Sequence, residues 1–220
     1  MFEYPNHVLA LDFETTGITQ FDHPNSLTIA EFMDGEPTGV MLDLKIRVPM
    51  KGKLSIEALA VQLGEDAEPE AFGRLVAQML GADKLNQKDA MAEVYRWSSE
   101  NNLQNVPVVA QNANFDRTFY DMLARNTTAY KGSPLSPIWI CTIAMARSAF
   151  PNQKTFNLDS LAMVLGIPPR ESKGHDSRMD ALKCGEVYFK LRDRLSNSHD
   201  KGTCPPSASP GGGTFSQEVN

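Results

Sequence analysis

Residues 9–17 read LALDFETTG. The run from Val8 to Phe13 is apolar without clean alternation, the pattern of a strand covered on both faces. Asp12 and Glu14 stand at i and i+2 at its end, so both side chains point to one face. Two like charges on one face of a central strand repel, and removing them from water is costly. A protein tolerates this most easily where a cation neutralises them. A pair of solvated turn carboxylates would read the same way, so the motif acquires meaning only from what joins it.

Working outward, Leu27 to Met33 is apolar-rich and Gly39 to Val48 alternates. Asp34-Gly35 and Pro37 between them predict a hairpin. Helical spacing marks 55–63, 69–80 and 89–101. Val106 to Ala110 reads as a buried strand with Pro107 near its start, where proline is tolerated. A helix is predicted over 115–125, a short strand over 138–141 and a helix over 142–150. A further helix over 158–165 is closed by Gly166, with Pro168 and Pro169 beyond, and a long one covers 177–195. Three opening strands, then helices alternating with strands, predict an α/β fold with a mixed sheet. Residues 1–198 are expected to form one domain. Residues 199–220, rich in Pro, Gly and Ser, are expected to be a disordered tail.

Composition narrows the class. Of 220 residues, 41% are hydrophobic and 22% charged, which is ordinary for a globular chain with a real core. The net charge of −6 excludes a strongly basic polyphosphate binder, but not an enzyme that recruits divalent cations. No apolar run approaches the roughly 18 residues of a membrane span, and the N-terminus lacks the basic region of a secretory signal. Three widely spaced cysteines, with no CxxC pair, suit a reduced cytoplasmic protein. There is no GxGxxG or GxxxxGK[ST] phosphate loop.

Two more segments carry candidate chemistry. In VVAQNANFDRTF (108–119), Asp116 lies just past a buried strand, in the first turn of a helix. That place also suits a carboxylate favoured by the helix dipole. If the strand runs parallel to and beside the first one, Asp116 reaches the Asp12/Glu14 end. In GHDSRMD (174–180), His175 and Asp180 are five apart, about 140° around a helix, so they cannot share a helical face. They can meet if His175 is on a loop and Asp180 in the helix after it. Ser177 and Asp180 also resemble a capping box. Taken together, four carboxylates are the hard oxygen ligands preferred by Mg²⁺ or Mn²⁺. A nearby imidazole with a pKa of ~6.5 can take a proton near neutrality.

LALDFETTG, QNANFDRTF and HDSRMDA, in that order, resemble the three motifs of the DnaQ-like DEDDh 3′→5′ exonucleases. That family includes replicase proofreading subunits, RNase T and oligoribonuclease. The likeness covers about residues 7–195, and His175 separates the chain from DEDDy relatives. LDSLAMVLGIP (158–168) is similar to the helix the family places before its third motif. The chain departs from the family at Gln111, where His is common, and at Ser177, where a small apolar residue is common.

The resemblance implies an RNase H-like fold, a five-stranded mixed sheet with its second strand antiparallel and helices on both faces. It implies that Asp12, Glu14, Asp116 and Asp180 bind two Mg²⁺ or Mn²⁺ ions, Asp12 bridging both, with His175 as general base. The implied reaction is hydrolysis of single-stranded DNA from its 3′ end to 5′-mononucleotides. Thr15, Thr16 and Gly17 would approach the terminal nucleotide. Phe13 is expected in the core, and Phe115 or Phe156 could stack on a base. Arg117, Arg147, Lys154, Lys173 and Arg178 are candidate phosphate contacts, though isolated basic residues are usually solvated. The alternatives are an RNA or oligoribonucleotide exonuclease, and a non-catalytic nucleic-acid adaptor. A role in replication or repair would need a polymerase or other replication partner.

Overall fold

The computed structural model describes residues 3–19, 21–64, 66–125, 127, 133–169 and 174–200. Lys173 and residues 201–220 of the expected tail lie outside them. The chain runs β1 (His7–Thr15), β2 (Pro24–Met33), β3 (Glu36–Lys45), α1 (Ile56–Leu63), α2 (Pro69–Leu80), α3 (Gln87–Glu100), β4 (Val108–Ala110), α4 (Ala113–Arg125), β5 (Trp139–Cys141), α5 (Thr142–Ala149), α6 (Leu158–Val164) and α7 (Ser177–Asp200). The sheet order is β3-β2-β1-β4-β5. β2 is antiparallel to β1 and β3, whereas β4 is parallel to both β1 and β5. This is the five-stranded mixed sheet of the RNase H-like fold.

β1 is central and reads as expected of a strand covered twice. Leu9, Leu11 and Phe13 face a core shared with α3 and α4, including Met91, Trp97 and Phe119. Val8 and Ala10 face a second core with α5, α6 and α7, including Met145, Leu161 and Tyr188. Side chains alternate along a strand, so Asp12 and Glu14 continue the Val8/Ala10 row toward α7. A smaller cluster of Val48, Leu59 and Met79 seats the α1–α2 pair against the strand ends.

Local chemistry sets the connections. Asp34 and Gly35, with φ of 53° and 99°, make the two-residue turn between β2 and β3. Positive φ at both central positions matches the right-handed twist of a hairpin. α7 crosses β2 closely because Gly185 has no side chain: a Cβ there would lie 2.3 Å from the buried Phe32 ring. α7 extends to Asp200, past the expected end near Leu195. Its apolar anchoring stops at Leu195, but the polar residues after it contain no breaker before Gly202, so the helix continues. No helix among the described residues is long and apolar enough to cross a membrane.

Candidate active site

Glu14 sits on β1 opposite Ser26 of β2, and Asp12 opposite Thr28. β4 ends at Ala110, one residue after its pairing of Val109 with Ala10, so the end of β1 is uncovered on that side. The first turn of α4 fills this place. There Asp116 is buried, and its carboxylate accepts the Phe13 backbone N–H. Burial pushes Asp116 up to about 7 and the Glu14 charge adds to the rise, while the backbone hydrogen bonds oppose it. Burial also pushes Glu14 up to about 7, reinforced by the carboxylates of Asp180 and Asp176 and opposed by His175 and Lys45.

α7 brings the third segment. Its N-cap is Asp176, whose Oδ1 accepts the backbone N–H of Arg178 (3.1 Å) and Met179 (3.3 Å). The expected capping box of Ser177 with Asp180 is therefore not formed. The Ser177 hydroxyl instead turns into the sheet, 2.7 Å from Ser26 Oγ and 3.0 Å from Thr28 Oγ1. Three buried hydroxyls thus dock the start of α7 beside the acidic end of β1, and Lys45 Nζ reaches Ser26 Oγ at 2.9 Å. Asp180, one turn into the helix, is released from capping and faces Glu14.

His175 precedes the helix, as its offset from Asp180 requires, and its Nδ1 lies 2.8 Å from Asp180 Oδ2. One ligand atom each of Glu14, His175 and Asp180 falls within 4.8 Å of the others. Asp12 and Asp116 both lie near α7. Cys184, one turn beyond Asp180, is buried, which raises its thiol well above the ordinary range, and the charges of Asp12 and Asp116 raise it further. Glu14, His175 and Asp180 therefore meet at the end of β1, Asp116 is near enough to Glu14 for their charges to interact, and Asp12 precedes Glu14 on the same strand face.

The loop carrying His175 is held by α1. The His175 N–H donates to Val61 O at 3.1 Å. A Cβ on Gly174 would lie 2.2 Å from Gln62 O. Gln62 also binds the other side of the site: its Nε2 donates to Thr15 O (2.7 Å), and Asn25 Nδ2 donates to its Oε1 (2.9 Å). A cleft of about 400 Å³ opens beside Glu14 and His175, lined also by Lys45, Gln62, Met79 and Lys84. The sequence reading missed Gln62 and Lys45. Their contacts span dozens of residues and leave no local signature.

The remaining candidates divide. Thr15 and Thr16 are buried and hold the turn after β1. Thr15 Oγ1 donates to Gly17 O (2.6 Å), and Thr16 Oγ1 accepts the His23 N–H (3.0 Å). Gly17 serves close approach, since a Cβ would lie 2.5 Å from the Asp22 carboxyl carbon. Phe13 is in the core, as expected. Phe115 is half-buried with its ring edge-on to Phe119 at 5.0 Å, and Arg147 lies 5.7 Å over Phe156. Gln111 ties strand to helix: its Nε2 donates to Phe156 O (2.7 Å), and its Oε1 accepts the Thr142 hydroxyl.

The donor set suits a hard divalent cation. Carboxylate oxygens converge where burial and mutual repulsion resist their ionisation, a penalty that a bound cation offsets.

No family model matches the sequence, and no curated protein matches it. Solved structures do share its fold. Exonuclease X in complex with 5′-overhanging duplex DNA is 20% identical, over 87% of this chain and 93% of its own, with a TM-score of 0.55. The zinc-bound form of the E. coli ExoI–ssDNA complex is 15% identical, over 90% of this chain and 43% of its own, with a TM-score of 0.62. The nuclease domain of 3′hExo, a DEDDh family member, bound to rAMP, is 12% identical, over 90% of this chain and 94% of its own, with a TM-score of 0.60. The chain thus spans less than half the length of ExoI and nearly all of the other two. The chain shares its fold with these nuclease structures.

Proposed function

We propose that this chain is a metal-dependent 3′→5′ exonuclease that hydrolyses single-stranded DNA from the 3′ end to 5′-mononucleotides. The observation that carries the reading is the meeting of Glu14 with His175 and Asp180, from two segments about 160 positions apart, within 4.8 Å. Asp12 and Asp116 lie beside them at the end of β1. Asp12, Glu14, Asp116 and Asp180 would hold two Mg²⁺ or Mn²⁺ ions. When bound, such ions supply positive charge that stabilises the attacking and leaving oxygens at phosphorus.

The chain's own residues do the rest. Asp180 holds the His175 ring through Nδ1, which leaves Nε2 as the basic nitrogen that takes a proton from the attacking water. The α1 contact at His175 N–H keeps the imidazole at the site without using the side chain. Thr15, Thr16 and Gly17 present a tight turn to the terminal nucleotide, with Phe115 at the start of α4 beside Asp116.

RNA is the second substrate reading, favoured by the rAMP bound to the similarly folded nuclease domain of 3′hExo. The test is digestion of end-labelled single-stranded DNA, single-stranded RNA and duplex DNA with Mg²⁺, Mn²⁺ or EDTA. We expect mononucleotide release from DNA with either metal, none in EDTA, and none by Asp12→Ala or Asp180→Ala. Turnover retained in either variant would overturn the metal assignment. Faster digestion of RNA would move the substrate class. Binding without any digestion would make the chain an adaptor.

A further inference from the structure

The described residues after β1 are hydrogen-bonded to one another and leave apolar side chains exposed. Thr16 N–H donates to His23 O (2.9 Å), and the buried Asp22 carboxylate accepts from Thr19 N (2.8 Å) and Thr19 Oγ1 (2.6 Å). The segment before α1 is stitched to it by Ser55 N–H on Thr16 O (2.7 Å). On this frame Phe21 remains 65% exposed and Ile56 72% exposed, and Lys53 Nζ lies 5.8 Å from the centre of the Phe21 ring. Single exposed apolar side chains are ordinary, but an exposed aromatic ring with a cation beside it is a surface on which another ring can stack.

The chemistry beside it selects the occupant. The turn follows β1, and both His23 and Ser55, two residues from Phe21 and Lys53, bond to the backbone of Thr16, two residues from Glu14. The chain carries a net charge of −6, so bulk electrostatics will not hold a polyanion. An aromatic face with a cation above it supplies stacking and local charge together, the usual device for an unpaired strand. We infer that Phe21 and Lys53 form a platform that stacks an unpaired base upstream of the 3′-terminal nucleotide. This rests on the exonuclease reading above and names residues that give it a preference for unpaired ends.

The test compares two substrates. The p-nitrophenyl ester of thymidine 5′-monophosphate has no upstream base, whereas a short 5′-fluorescein oligothymidylate has several. Phe21→Ala is expected to raise KM for the oligonucleotide at least fivefold, the low end for one stacked base, and to leave kcat/KM for the ester unchanged. Phe21→Trp should restore the oligonucleotide KM. Lys53→Met should flatten the salt dependence of oligonucleotide binding, read by fluorescence anisotropy in EDTA, by about 0.7 in log–log slope. An unchanged KM in Phe21→Ala, with the parent protein active on both substrates, would overturn the platform and leave the exonuclease reading standing. So would a shift from dimer to monomer in Phe21→Ala, which would assign the patch to a second copy. A parent protein inactive on both substrates would overturn the underlying reading instead.

Discussion

Gly174→Ala tests how the site holds its general base. An added methyl would lie 2.2 Å from Gln62 O and 3.0 Å from the Gln62 and Leu63 carbonyl carbons. All three atoms belong to the backbone of the last turn of α1, so no side chain can rotate away. Relief requires about 1 Å of separation between loop and helix, because buried groups tolerate little overlap. That movement would stretch the 3.1 Å bond from His175 N–H to Val61 O and lift the imidazole from its 2.8 Å contact with Asp180. A misplacement of this size costs on the order of 10²-fold in rate. Substrate affinity should change little, while the clash itself should cost about 1–3 kcal/mol of stability and leave the chain folded. The assay is hydrolysis of thymidine 5′-monophosphate p-nitrophenyl ester with Mn²⁺, separating kcat from KM, with circular dichroism to confirm the fold. Truncating Gln62 to alanine in the same chain should not rescue kcat, because the clash is with its carbonyl oxygen. A kcat within about twofold of the parent would show that the α1 contact does not position His175.

Ser177→Ala removes one of three buried hydroxyls but leaves Ser26 its Lys45 contact and Thr28 its bond to Asp43. It should therefore cost about 1 kcal/mol in denaturant unfolding and preserve activity. Gly185→Ala drives a methyl into the buried Phe32 ring and should destabilise by about 1–3 kcal/mol, read as a lower urea midpoint. Without metal, Glu14 and Asp116 titrate near 7 in the folded chain, well above their ordinary values of 4.5 and 3.8. The folded state binds more protons across that window, so stability in EDTA should fall as pH rises from about 4 to about 7. Mn²⁺ should restore stability above neutrality. An EDTA stability curve that rises over this window would contradict the burial of these carboxylates.

Much of the site was legible because its signals are local. The i, i+2 spacing of Asp12 and Glu14 requires one face of a strand, and the structure shows that face turned to α7. The five-residue offset of His175 from Asp180 excluded a shared helical face, and the structure puts one on the loop and the other in the helix. Pro69 at the start of α2 and Asp34-Gly35 between β2 and β3 carry turn and helix-start chemistry in their own sequence. What stayed hidden depends on distant chain. Ser177 looked like half of a capping box, but two hydroxyls some 150 positions earlier draw it into the sheet and leave capping to Asp176. Gln62 carries no motif, and only the docked helix shows it spanning Thr15, Asn25 and the His175 loop. Phe21 could not be told from a core aromatic until its neighbours were in place.

A metal-dependent nuclease built on this site needs its four carboxylates to share divalent cations. Anomalous diffraction from crystals soaked in Mn²⁺ should show two peaks contacted by Asp12, Glu14, Asp116 and Asp180, with one or both lost in Asp180→Asn. Manganese bound elsewhere, or none at this cluster, would contradict it.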